Sequence, residues 1–141
     1  MNTKDFIKLN FNNSIGIKRC SSVMSNNGAI FSYGYHYPLL FRVNGLNFRN
    51  TAGYSSTTLR HISWTRDIEA VDVKLDSEAV RVINSGASDI DKLRAIKRCL
   101  NIELEEYKKQ MESKKIKTTK IYAGLNQQFN RIFNNLRYLG V

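Results

Sequence analysis

Apolar and polar positions alternate through the first part of the chain and then give way to a spacing of three and four. Ile7, Leu9 and Phe11 are separated by Lys8 and Asn10, and Ile15 and Ile17 by Gly16. A period of two predicts half-buried strands, because successive side chains of a strand point to opposite faces. Two Asn-Gly steps, Asn27-Gly28 and Asn44-Gly45, punctuate these runs. Both central residues of a type I′ turn need positive φ, which asparagine and glycine accept most readily, so residues 39–43 and 46–50 predict a β-hairpin. A final alternating run at residues 68–73 closes the strand-rich part.

Beyond Asp76 the period lengthens. "SEAVRVINSG" predicts a short helix capped by Asp76 or Ser77 and ended at Gly86, a residue suited to a left-handed C′ position. Ser88, with Asp91 three residues on, resembles a capping box. Leu93, Ile96, Leu100, Leu104, Tyr107 and Met111 then form one stripe of a long amphipathic helix. Tyr122, Leu125, Phe129, Ile132, Leu136 and Leu139 form a second, heptad-like seam. Between them, "KKQMESKKIKTTK" sets six lysines against Glu112 alone. The pattern predicts an antiparallel helical hairpin with this bend at its tip, although the same seams would equally close a homodimer through the C-terminal helices. The fold class is therefore α+β: an N-terminal antiparallel β-sheet with one short helix, then a C-terminal amphipathic helical hairpin. Residues 1–75 form the β-rich half and 76–141 the helical half, in one unit.

A chain of 141 residues buries a core without disulfide staples. Its two cysteines, Cys20 and Cys99, lie far apart in sequence and read as structural thiols of a reducing cytoplasm. The N-terminal segment has no uninterrupted apolar run and no small-residue cleavage site, and no stretch is apolar enough to predict a membrane span.

The formal net charge of +10 changes the picture more, because it points to anionic partners. The first sixty residues carry seven cations, Arg42, Arg49 and Arg60 among them, against Asp5 alone. "FSYGYHYP" interleaves aromatics with that charge and predicts Phe31, Tyr33, Tyr35 and Tyr37 on one strand face. Aromatic rows on basic sheets hold single-stranded nucleic acid by base stacking, while a core role competes for the same residues and suits Phe31 best. The lysine bend (Lys108, Lys109, Lys114, Lys115, Lys117 and Lys120) is a second candidate contact, against its reading as a solvated loop.

The segment "GYSSTTLRHISWTR" tempts a catalytic reading, with Ser55, Ser56, Thr57 or Thr58 as nucleophile, His61 as base and Asp67 as orienter. No G-x-S-x-G elbow supports it. The hydroxyl run reads better as the N-cap of a helix in which Leu59 and Ile62 face inward and His61 is structural. Arg60 and Trp64, four apart, then stack on the exposed side with Arg66 beyond, a candidate anion contact. Cys20, Cys99, His36 and His61 have no metal-ligand spacing, and no Walker A or G-x-G-x-x-G sequence occurs, so no metal or cofactor is expected.

Together, "AIFSYGYHYPLLFRVNG" and "YSSTTLRHISWTR" resemble a small module of uncharacterised proteins from phages and other mobile elements. Ser32, Tyr33, Arg42, Tyr54, Ser55, Thr57, Thr58 and His61 match its Ser-Tyr strand, hairpin and Tyr-Ser-x-Thr-Thr-x-x-His helix start, over residues 29–66. The resemblance implies a mobile-element accessory protein and no particular reaction or ligand. The expectation is a non-enzymatic cytoplasmic protein that binds a host nucleoprotein through its basic surface and inhibits a defence nuclease, as anti-CRISPR proteins do. The alternative is a direct DNA- or RNA-binding regulator or packaging accessory protein.

Overall fold

The structure, a computed structural model, describes residues 1–11, 13, 16–53, 55–114 and 119–138. Five strands run as an antiparallel meander: β1 (Ile17–Cys20), β2 (Val23–Asn26), β3 (Ala29–Ser32), β4 (Pro38–Val43) and β5 (Leu46–Asn50). Both Asn-Gly steps turn as predicted, with φ of 51° at Asn27 and Asn44 and positive φ at Gly28 and Gly45. They bring Asn26 opposite Ala29 and Val43 opposite Leu46. A third turn, Ser21-Ser22 between β1 and β2, carries no glycine, and Ser21 itself supplies the left-handed residue.

The sheet is mixed rather than wholly antiparallel. Helix α2 (Ser56–Ser63) carries the chain from β5 to β6 (Val71–Val73), which pairs parallel to β5. A parallel neighbour requires a crossover, and α2 is that crossover. Then follow α3 (Ser77–Asn84), α4 (Asp89–Lys114) and α5 (Thr119–Tyr138). The α+β class and the C-terminal helical part stand as the sequence pattern predicts.

The first segment differs. Residues 3–10 form helix α1 (Thr3–Asn10), capped by the Asn2 side chain, whose oxygen accepts the Asp5 N–H at 2.8 Å. Ile7 and Phe11 stand four apart and satisfy a helical stripe as well as an alternating one, and Leu9 points to solvent. So among the described residues of the β-rich half there are two short helices, α1 and α2, rather than one. Ile15 lies outside the described residues.

The sheet is covered on both faces. On one, α1 and α2 bury Phe6, Ile7, Phe11 and Ile62 against Val23, Ile30 and Leu40. On the other, Phe41, Val43, Phe48, Val71 and Val73 meet Ala79 and Val80 of α3, Leu93, Ile96 and Leu100 of α4, and Ile132 of α5. The predicted α4 stripe is thus buried through Leu104. Residues from before and after position 76 share this second cluster, so the C-terminal helices build their core against the sheet, whereas the first cluster lies wholly before position 76.

The caps follow the sequence closely. Asp76 accepts the Ala79 N–H at 2.9 Å, and Ser88 accepts the Asp91 N–H at 3.2 Å. Gly86 departs from expectation: α3 ends at Asn84, its C-cap Ser85 is extended, and Gly86 does not adopt positive φ. The Ser85 hydroxyl instead donates to the Val82 carbonyl at 2.6 Å.

Candidate functional site

The helix start in the quoted segment is an N-cap. Ser55 Oγ accepts the Thr58 N–H at 3.2 Å. Ile62 faces inward as predicted, but Leu59 is 57% exposed and rests on Gly53, where a Cβ would lie 2.9 Å from Leu59 Cδ2. His61 is 2% exposed. Its Nδ1 lies 2.7 Å from Ser32 Oγ and its Nε2 3.1 Å from Ser22 Oγ. A neutral imidazole has one donor and one acceptor, so one serine donates to it and the other accepts. Burial, helped by the nearby Arg60 charge, lowers the His61 pKa and holds the ring neutral.

This contact ties α2 to β3 and to the β1–β2 turn. Asp67, the orienter of the catalytic reading, forms an ion pair with Lys8 instead. That pairing lowers the pKa of Asp67 and raises that of Lys8. The four potential metal ligands also separate. Cys99 is buried against α3 and β6, where burial raises its pKa, while Cys20 packs on the α1 face. Among the described residues no group of three or more His, Cys, Asp or Glu side chains converges.

The aromatic row breaks at the end of β3. Tyr33 has φ of 64° and Gly34 of 124°, so the chain leaves the strand direction. Backbone bonds fix the resulting loop, 33–37: the Ser32 N–H donates to the Tyr37 carbonyl at 2.9 Å and the Tyr33 N–H to the Ser22 carbonyl at 2.7 Å. Phe31 is core. Tyr37 is also buried, its hydroxyl reaching the carbonyl oxygens of Asn50 and Ala52. Tyr33 and Tyr35 remain 52% and 44% exposed. Tyr35 is held at both ends: its hydroxyl accepts from Asn26 Nδ2 at 2.8 Å and its carbonyl from Asn84 Nδ2 at 2.5 Å. Its ring meets Phe31 edge-on at 5.1 Å.

Two clefts flank this loop where Asn84 pins it to α3. One, of about 560 Å³, is lined by Asn26, Phe31, Tyr35 and Phe41 with the cations Arg42 and Lys92. The other, of about 480 Å³, is lined by Ser32, Tyr33, Ser55, Thr58 and Ser77 with His36 and Arg81. Among the described residues no carboxylate lines either. No family model, curated protein or solved structure matches this chain.

The other candidate contacts are distributed unevenly. Arg42 is exposed in the first cleft, its Nε donating to Asn47 Oδ1 at 2.9 Å. Arg49 is not a surface group: it is 4% exposed, and its guanidinium donates to Asp72 Oδ1 at 2.6 Å, to Thr65 Oγ1 and carbonyl at 2.8 and 2.7 Å, and to the Ile68 carbonyl. The sequence showed its charge but not its depth, since β5 is covered on both faces. Arg60 is exposed on α2. Trp64 turns from it toward the α1 cluster, its ring 5.6 Å from that of His61. Arg66 pairs with Asp72 at 3.0 Å. Lys108 and Lys109 are exposed on α4. Lys115 and Lys117, like Tyr54 and Leu139, lie outside the described residues, as do the side chains of Lys114 and Lys120.

Sequence reasoning passed over Arg81, Asn84 and Lys92, and weighed His36 only as a metal ligand. The Tyr33-Gly34 step was the available signal, because a glycine inside an alternating run often marks a bend. Among the described residues no helix is long and apolar enough to cross a membrane.

Proposed function

We propose that this protein is a non-enzymatic accessory protein of a phage or mobile element that acts in the host cytoplasm by binding single-stranded nucleic acid, free or within a host nucleoprotein. The observation that carries the reading is the pair of half-exposed tyrosines, Tyr33 and Tyr35, on a braced loop between two cation-lined clefts. Stacking on tyrosine suits any base, and Arg42, Lys92 and Arg81 stand where a strand crossing the loop would carry its phosphates. The loop is costly to build: a bulky residue at positive φ is strained by about 1 to 2 kcal/mol, and such strain gathers at functional sites.

The test is fluorescence anisotropy with a short labelled single strand at about 50 mM salt. Tyr33→Ala and Tyr35→Ala should each weaken binding by about 1 to 3 kcal/mol, roughly fivefold to a hundredfold. Absence of binding by the native chain, or native affinity in both variants, overturns the reading. Its narrower form, inhibition of a defence nuclease in the manner of anti-CRISPR proteins, is tested by adding the purified chain to a CRISPR effector of the same host and measuring target cleavage. Unchanged cleavage, with strand binding retained, favours direct nucleic-acid binding by a regulator or packaging accessory protein.

A further inference from the structure

Among the described residues, the outward face of α5 has a chemistry found on none of the other helices. Asn126, Asn130 and Asn134 follow one another at steps of four, Gln127 and Arg131 form the adjacent row, and Arg137 continues the first. All six are exposed. The opposite side is apolar, with Ile132 buried in the core and Phe129 half-buried; Phe133, exposed at the border between the two sides, has the Lys97 ammonium 4.7 Å above its ring. The polar side therefore does not serve the packing of α5 on α4. There is no carboxylate anywhere in the helix. The exposed part of α4 is different, mixing Glu105 and Glu106 with Lys108 and Lys109 in the usual manner of a solvated face.

Asparagine is a poor choice for an exposed helix interior. Its side chain competes for the backbone, and glutamate or lysine there gives both higher propensity and supporting pairs at i,i+4. A row of three asparagines weakens α5, and among the described residues no contact compensates for it. Asparagine, glutamine and arginine are, however, the side chains that make paired hydrogen bonds to base edges: Asn and Gln to adenine, Arg to guanine. Ala123, one turn before Gln127, shares a shallow hollow with Asn126, Gln127, Asn130, Arg131 and Asn134, so nothing bulky stands among them.

We infer that the outward face of α5 reads the major groove of B-form DNA through Asn126, Gln127, Asn130, Arg131 and Asn134. At 1.5 Å per residue the span from 126 to 137 is roughly 16 Å, about five base-pair steps. The major groove admits an α-helix, and a face with two arginines and no acid suits its negative potential. The occupant is DNA rather than duplex RNA, because the major groove of A-form RNA is too deep and narrow for side chains to read. This site is separate from the tyrosine loop.

The experiment is selection of duplexes from a randomised DNA library by the full-length protein, followed by gel retardation of the enriched duplex, the same sequence as duplex RNA, and a single strand. Enrichment of a sequence is expected, with duplex RNA bound at least tenfold more weakly. Asn130→Ala and Arg131→Ala should each weaken the enriched duplex about fivefold to a hundredfold. Arg131→Lys should do so too, since it keeps the charge and loses the fork. Circular dichroism and single-strand binding should be native in all three. No enrichment, equal affinity for duplex RNA, or native affinity in Asn130→Ala and Arg131→Lys overturns the assignment. Tyr33→Ala and Tyr35→Ala should retain duplex binding, so the two sites fail independently.

Discussion

Ser32 and His61 share a hydrogen bond of 2.7 Å in a buried setting, and Ser22 occupies the other ring nitrogen at 3.1 Å. Both serines hold the neutral ring, while burial opposes its protonation. The His61 pKa is therefore lower folded than unfolded, so the unfolded chain binds the proton more readily and stability falls as pH drops below 6.5. The loss grows down to the folded pKa and then levels. Urea unfolding at a series of pH values measures it, and His61→Gln should remove this component of the slope.

Arg49 and Asp72 give a sharper expectation. The buried guanidinium satisfies two carbonyls, a hydroxyl and a carboxylate around the end of the α2–β6 connection. Arg49→Ala should destabilise the fold by about 3 to 5 kcal/mol, since it leaves those acceptors unpaired. Arg49→Lys should also be costly, because a point charge cannot span the same four acceptors. Arg42→Ala should leave stability within about 0.5 kcal/mol while reducing the salt dependence of strand binding by about one counterion. Denaturation midpoints and salt titrations separate the two arginines.

That contrast shows what was legible. Turn chemistry and caps could be read directly: the Asn-Gly hairpins and the caps at Ser55, Asp76 and Ser88 are local, and local chemistry decides them. The helical spacing through Leu93, Ile96 and Leu100 was equally plain. Depth was not legible, because Arg49 and Arg42 look alike until a sheet covered on both faces separates them. Nor was α1, since Ile7 and Phe11 fit two periods and only the Asn2 cap favours one. The candidate site was half visible. Its tyrosines stood out, but the loop was hidden in an unbroken alternation, and its partners Arg81 and Asn84 come from a helix some fifty residues away.

Asp76 has two tasks, capping α3 and receiving both guanidinium nitrogens of Arg98 at 2.7 and 2.9 Å. The Arg98 hydrogen bonds hold its pKa at about 2 against an ordinary 3.8. A carboxylate depressed on folding contributes stability that is fully present above its unfolded pKa and lost as pH falls from about 4 toward 2. The pair is partly exposed, so screening leaves a modest effect, and Asp76→Ala should cost about 1 to 2 kcal/mol, chiefly through the lost cap. Asp76→Asn keeps a capping oxygen and should cost less. It should also flatten the acid limb of the stability profile, which thermal unfolding between pH 2 and 5 would record.

Tyr33 sets stability against binding. Its φ of 64° suits glycine, which populates that region freely. Its backbone N–H is already satisfied by the Ser22 carbonyl at 2.7 Å, and its half-exposed ring lies tilted, 5.8 Å from His61. Tyr33→Gly should therefore relieve strain of about 1 kcal/mol, partly offset by the greater freedom of glycine in the unfolded chain and by the lost ring contact. The net stability change should fall within about 0.5 kcal/mol of zero, whereas Tyr33→Ala retains the strain, loses the ring and should be the less stable of the two. Both variants should lose strand affinity alike, because neither has a ring on which a base can stack. A Tyr33→Gly protein that unfolds well before the native protein would show that the ring serves the core. A Tyr33→Gly protein that folds normally and binds poorly would place the cost of the left-handed tyrosine with recognition.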